Sequence, residues 1–132
     1  MSETIRPEGW PRPSGYAHAV SAEGRFIAVA GQVGWDPRTG VFDSGDLVAQ
    51  TRRALRNIAD VLAAAGAAPR DVVRLTWYVT SRDEYLARRA EIGEAYREVF
   101  GEHYPAMTLV IAGLLERGAK VEIEATAVAA AR

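Results

Sequence analysis

The chain has 132 residues, enough for one domain with a buried core. About half of them are apolar (48%) and a quarter charged (25%), an ordinary globular composition. Sixteen basic residues against seventeen acidic ones (net charge -1) leave no electrostatic footprint for nucleic acid, and the lack of cysteine excludes disulfides, thiolate nucleophiles and zinc-finger spacings.

The first stretch, MSETIRPEGWPRPSGY, carries charges and three prolines but no apolar run, so it does not read as a secretory signal. Its Pro, Gly and Ser content predicts an extended path over the surface. Tyr16 to Val20 and Arg25 to Val33 then read as two strands joined in a hairpin by SAEG. GWDPRTG follows, with Pro37 and Gly40 where a tight turn wants them. The first helix has apolar positions at Leu47, Val48, Thr51, Ala54, Leu55, Ile58, Val61, Leu62 and Ala65, the three-four helical spacing. Ser44 or Asp46 suits its cap, and Gly66 stops it. Asp71 to Thr80 reads as a strand with Val73, Leu75, Trp77 and Val79 on one face and Val72, Arg74, Thr76, Tyr78 and Thr80 on the other. Ser81 to Glu84 forms a capping box, opening a second helix whose stripe is Tyr85, Leu86, the stem of Arg89, Ile92, Tyr96, Val99 and Phe100, closed by Gly101. Pro105 to Ile111 and Ala119 to Ala129 supply two more strands. No apolar run approaches the length of a membrane span. The expectation is one soluble cytoplasmic domain over residues 1–132, with no membrane partner and no nucleic acid.

Strands interleaved with two helices predict an α+β domain with both helices on one face of the sheet. In the last strand Val121, Ile123, Ala125 and Ala127 suit that covered face. Lys120, Glu122, Glu124 and Thr126 must then look outward beside Arg74, Thr76 and Tyr78. A face of mixed polar and aromatic groups on a single-layer sheet usually meets another subunit, so an oligomer is expected.

Several segments in this order, GYAHAV (15–20), AVAGQVGWDPRTG (28–40), QTRRALRNIADVLAAAGAAPRDVVRLTWYVT (50–80), YREVFG (96–101), YPAMTLV (104–110) and VEIEATAV (121–128), together resemble the RidA/YjgF family, formerly labelled endoribonuclease L-PSP. The resemblance covers nearly the whole chain. It implies a chorismate-mutase-like fold, a six-stranded mixed sheet with two helices on one face, assembled as a homotrimer with small-molecule clefts between subunits. The activity it implies is hydrolysis of reactive enamines and imines such as 2-aminoacrylate, with no metal or organic cofactor.

The usual family pocket has an Arg in a P-A-R-[ST] motif for the substrate carboxylate, a Glu in the E-I-E-A strand, a Tyr after the first Gly or Pro, and a Ser before G-Q. Mapped onto this chain, Tyr16 keeps the tyrosine position and Glu122 the acidic one. Met107 stands at the arginine position and Ala30 at the serine position, while Gly93 corresponds to an asparagine common in the second helix. A bidentate Arg–carboxylate pair gives orientation and charge neutralisation that a thioether cannot replace. Met instead offers a soft apolar wall. Standard 2-aminoacrylate deamination is therefore not expected, and a less acidic, more hydrophobic ligand is. If the cleft is the family's, Met107 and Glu122 lie on neighbouring strands and approach one pocket.

Each residue also has a plainer reading. Glu122 either handles protons or forms an interface ion pair with Arg74 or Lys120, and Glu124 on the same face reads as structural. Tyr16 either bonds a ligand or packs at the cleft mouth. Gly31 either presents its N–H to a ligand oxygen or permits a close strand approach. Trp35 is a candidate wall of the cleft and Trp77 a core residue. His18 and His103 lie on different elements without metal-ligand spacing, so no metal is expected. Arg52, Arg53 and Arg56 form a basic helix face of the usual solvated kind. The leading reading is a Rid-like hydrolase of a small imine, enamine or carbonyl compound, with Glu122 and Tyr16 catalytic and Gly31, Ala30, Met107, Trp35 and Gly93 around the substrate. The alternative is a trimer that binds a small metabolite without turnover, and a third is a protein-directed or ribonuclease role, against which the neutral charge and the absence of a His pair argue.

Overall fold

The computed structural model describes residues 2–132. Along the chain run β1 (Ser2–Ile5), β2 (Ala19–Ala22), β3 (Arg25–Val33), α1 (Leu47–Ala64), a short 3-10 turn (Pro69–Asp71), β4 (Val72–Val79), α2 (Arg82–Ala87), α3 (Arg89–Phe100), β5 (Ala106–Ile111) and β6 (Val121–Ala129). The domain is α+β, with α1 and α3 packed together on one face of the main sheet. Its strand order is β3-β6-β4-β5, antiparallel except for the parallel β4–β5 pair. Among the described residues there are six strands, but not in the single six-stranded sheet expected: β1 and β2 form a separate antiparallel pair.

The predicted hairpin between β2 and β3 does not form. β2 pairs with β1, from Ser2↔Ala22 to Ile5↔Ala19, and β3 pairs with β6. At Gly24, with φ +146, the backbone passes so close to Ala129 that a Cβ would overlap its carbonyl oxygen. SAEG therefore redirects the chain from one sheet into the other instead of folding it back.

α1 is cut where its sequence signals it. Asp46 is the N-cap, its Oδ2 accepting from Ala49 N at 3.0 Å, and Gly66 follows the helix with φ +75. Its stripe buries Leu47, Leu55, Ile58 and Leu62 completely or nearly so against Leu75, Val121 and Ile123. Gln50, also buried, holds the helix to two loops: its Nε2 donates to Ser44 O and Gly118 O, and its Oε1 accepts from Lys120 N. Ser81 caps α2, accepting from Glu84 N at 3.1 Å. Glu84 does not complete the box, because its carboxylate accepts from Lys120 Nζ at 2.8 Å.

Two further expectations are corrected. The second helix is broken at Arg88 (φ -115, ψ 16) into α2 and α3, and Arg88 is held there by Asp46 and Glu91. In β4 a register shift between Val72 and Arg74 breaks strict alternation. Val72 thereby joins Leu75, Trp77 and Val79 in the core, while Val73 is only half-buried. β6 alternates as predicted, burying Val121, Ile123, Ala125 and Ala127.

Candidate functional site

A cavity of about 680 Å³ opens between α3, the β4–β5 pair and the loop before β2. Its floor is Leu75, Trp77 and Met107, which share one sheet face because Leu75 and Met107 are register partners in the parallel pair. Tyr16 and Pro13 to Gly15 form the mouth. Ala17 pins that loop to the edge of β5, its N–H donating to Pro105 O at 3.0 Å. α3 supplies Arg89, Ile92, Gly93, Tyr96 and Arg97, a helical face at i, i+3, i+4, i+7 and i+8. Tyr85 and Tyr104 close the sides.

The aromatic wall is ordered. Tyr96 stacks on Phe100 (centroids 5.0 Å apart) and on Tyr104 (5.6 Å), and its hydroxyl donates to His103 O. Burial raises the Tyr96 and Tyr85 phenols above the usual value, with Arg89 pulling Tyr85 partly back. Both stay neutral hydroxyls at physiological pH.

Of the expected site residues, the cavity gathers Tyr16, Gly93 and Met107. Ala30, Gly31 and Glu122 sit together elsewhere. β3 advances three residues, from Val29 to Gln32, while β6 advances two, from Ala125 to Ile123, so a one-residue bulge falls at Ala30–Gly31. Glu122 lies against the bulge so closely that a Cβ on Gly31 would overlap its Oε2. Glu122 pairs in register with Tyr78, on the face away from the helices. Met107 and Glu122 are therefore not on neighbouring strands, since β4 lies between β5 and β6, and within one chain they occupy opposite faces. Trp35 does not line the cavity. It packs against Phe42 (5.7 Å), and its carbonyl accepts from Arg53 Nε and Asn57 Nδ2.

Within one chain Lys120 pairs with Glu84, and Arg74 lies in register with Thr126. Glu124 does have a structural role, accepting from Tyr78 OH at 2.9 Å, which raises the Tyr78 phenol. The basic face of α1 is paired, Arg52 and Arg56 with Glu98 and Arg53 with Asp36. The histidines are apart, His18 between the Trp10 and Tyr16 rings and His103 with its Nε2 2.7 Å from Val72 O. Among the described residues no cluster of three His, Asp or Glu forms a metal cage, and no helix is long and apolar enough to cross a membrane.

The cationic side of the cavity is not among the expected site residues, although Arg89, Gly93 and Arg97 recur at a spacing of four, on one helix face.

Residues 11–129 match the family described as Endoribonuclease L-PSP. A RutC family protein of Pyrococcus horikoshii is 40% identical over 128 residues, 96% of this chain and 98% of the relative. The 2-iminobutanoate/2-iminopropanoate deaminase of Salmonella typhimurium is 34% identical over 132 residues, covering 97% and 98%. A crystal structure of a conserved Rid family protein from Yersinia pestis superposes with a TM-score of 0.82 at 36% identity, covering 97% of this chain and 98% of that one. The chain belongs to the RidA/YjgF family, with its chorismate-mutase-like fold.

Proposed function

We propose that this chain is a cytoplasmic, homotrimeric Rid-family hydrolase of a carbon–nitrogen double bond, acting on a substrate bulkier than 2-aminoacrylate. The observation that carries the reading is the cavity lining: Tyr16, Trp77, Tyr85, Tyr96 and Tyr104 with Met107 make an apolar container for a large side chain. Similarity to imine deaminases over nearly the whole chain supports the reaction class.

In this reading water adds its oxygen to the imine carbon, a proton goes to the nitrogen, and the carbinolamine collapses to a carbonyl compound and ammonia. Glu122 shuttles the protons, Tyr16 orients the substrate, and the Gly31 N–H supports the developing oxygen charge. Glu122 is on the far side of the sheet from its own cavity. A neighbouring copy must therefore bring its Ala30–Gly31–Glu122 wall to the cavity mouth at Tyr16, which is why the outer face and the oligomer belong to the mechanism.

The test generates imines in place with an amino-acid oxidase from alanine or phenylalanine and follows their loss by semicarbazide trapping. The phenylalanine-derived imine should be hydrolysed at least about tenfold faster than the alanine-derived one. The reverse preference would overturn the reading. That no carboxylate lines the cavity supports a second reading, binding without turnover. Tight binding of phenylpyruvate with neither imine accelerated would select it.

A further inference from the structure

Met107 removes the family's cation from β5, yet the cavity is not without positive charge. Among the described residues, Arg89 and Arg97 are the only charged ones in its lining, and no Asp or Glu is present there to neutralise them. Neither makes an ion pair with the described residues, although the neighbouring Arg52, Arg53, Arg56 and Arg88 are all paired. Gly93 lies midway between the two, and the Arg97 guanidinium rests over it: a Cβ at Gly93 would stand 3.2 Å from Nη1 and 3.8 Å from Nη2. The missing side chain at 93 is thus the seat of the Arg97 fork.

Trp77 adds an aromatic wall to the same cavity. Two guanidinium forks without an ion-pair partner among the described residues complement a ligand rich in oxygen at one end. The aromatic walls complement an apolar body at the other.

We propose that the carboxylate-reading role has moved from the sheet to α3, so that Arg97, seated on Gly93 and assisted by Arg89, selects aromatic carboxylic acids of the 2-oxo or 2-imino class. This replaces the expectation of a less acidic ligand that Met107 alone suggested. It rests on the hydrolase reading only for the reaction, not for the binding.

Calorimetric titration of the intact protein with phenylpyruvate, phenylacetate and the uncharged phenylacetamide tests it. The acids should bind at least about tenfold tighter than the amide. Arg97→Met should bring the acids down to the level of the amide, Arg97→Lys should restore part of the difference, and Arg89→Met should fall between. Gly93→Ala keeps both charges and favours the helix, but crowds the guanidinium from its seat; it should weaken the acids and leave the amide unchanged. Equal affinity of the parent for acid and amide, or Arg97→Met and Gly93→Ala both binding the acids like the parent, would overturn the inference. Imine hydrolysis with no acid preference would sink this inference alone, and acid preference without hydrolysis would sink the proposed reaction alone.

Discussion

Two glycines three residues apart show how differently one methyl can act. At Gly31 an added Cβ would run into Glu122 Oε2, the free end of a flexible side chain. The carboxylate swings aside, so Gly31→Ala should cost less than about 1 kcal/mol of stability while displacing the proposed proton carrier. Hydrolysis should drop at least about tenfold with the thermal midpoint nearly unchanged; an unaltered rate would remove Glu122 from the mechanism. At Gly34 the obstruction is the backbone of Gln50, 2.5 Å away, which has nowhere to go. Met107 poses the opposite problem. Met107→Arg would put a third guanidinium beside Arg89 and Arg97 in a lining without carboxylates. The variant should lose about 1–2 kcal/mol in the absence of ligand, and 2-oxobutyrate should raise its melting temperature more than the parent's. Equal ligand shifts in the two proteins would mean that Met107 does not meet the ligand.

At the scale of elements, Arg88 joins three helix ends. It donates through Nη1 to Asp46, the cap of α1, at 2.8 Å, and through Nε and Nη2 to Glu91 in the first turn of α3. The Arg88 hydrogen bond, then that from Ala49 N, holds the Asp46 carboxyl below its usual 3.8, and Arg88 likewise lowers Glu91. Carboxyls depressed in the folded state contribute stability that is complete above their unfolded values and is lost as pH falls through the folded ones. Urea unfolding at a series of pH values should therefore show Arg88→Ala less stable than the parent by a constant margin above about pH 5, shrinking below about pH 4. A margin that does not change with pH would show that the charges contribute nothing.

The same joint shows what could be read from the sequence. Asp46 and Ser81 advertise helix starts because capping is local chemistry, and both caps are made. Nothing local marks the break at Arg88, whose partner Asp46 is forty-two residues away. SAEG resembles a hairpin turn, but the partner of each flanking strand lies elsewhere in the chain, and only tertiary pairing decides such cases. Tyr16, Gly93 and Met107, singled out by motif position, line one cavity. The opposite faces of Met107 and Glu122 follow from strand order, which no motif states. Arg97 was legible in its spacing from Arg89 and Gly93, and went unread because exposed helical arginines are so common.

For the whole molecule, assembly turns on the outer sheet face. Phe26 is 68% exposed and Val110 on β5 is 37% exposed, around a polar band of Arg74, Thr76, Glu124 and Thr126. Such a mixed face suits a subunit interface better than solvent. Light scattering at micromolar concentration should give three times the 14.3 kDa chain mass. Phe26→Asp should lower that mass and abolish hydrolysis together, since the cavity would lose its neighbour's Glu122. A monomeric parent would refute the trimer, and a dissociated yet active variant would refute the shared site.

The place of β6 has a further consequence. It is the last strand along the chain but sits inside the main sheet, with β3 on one side and β4 on the other. As the polypeptide emerges from the ribosome, β3, α1, β4 and α3 are all made before the strand that joins them exists. Their apolar faces must wait, because β3 and β4 have no ladder with each other. Nearly all of the chain is thus committed to one late closing event, in which β6 meets β4 across about fifty positions and β3 across about a hundred, the kind of distant pairing that folds slowly and gives chaperones time to act. A stalled or prematurely terminated chain would leave two strands with open edges, more prone to aggregate than to persist as a partly folded domain.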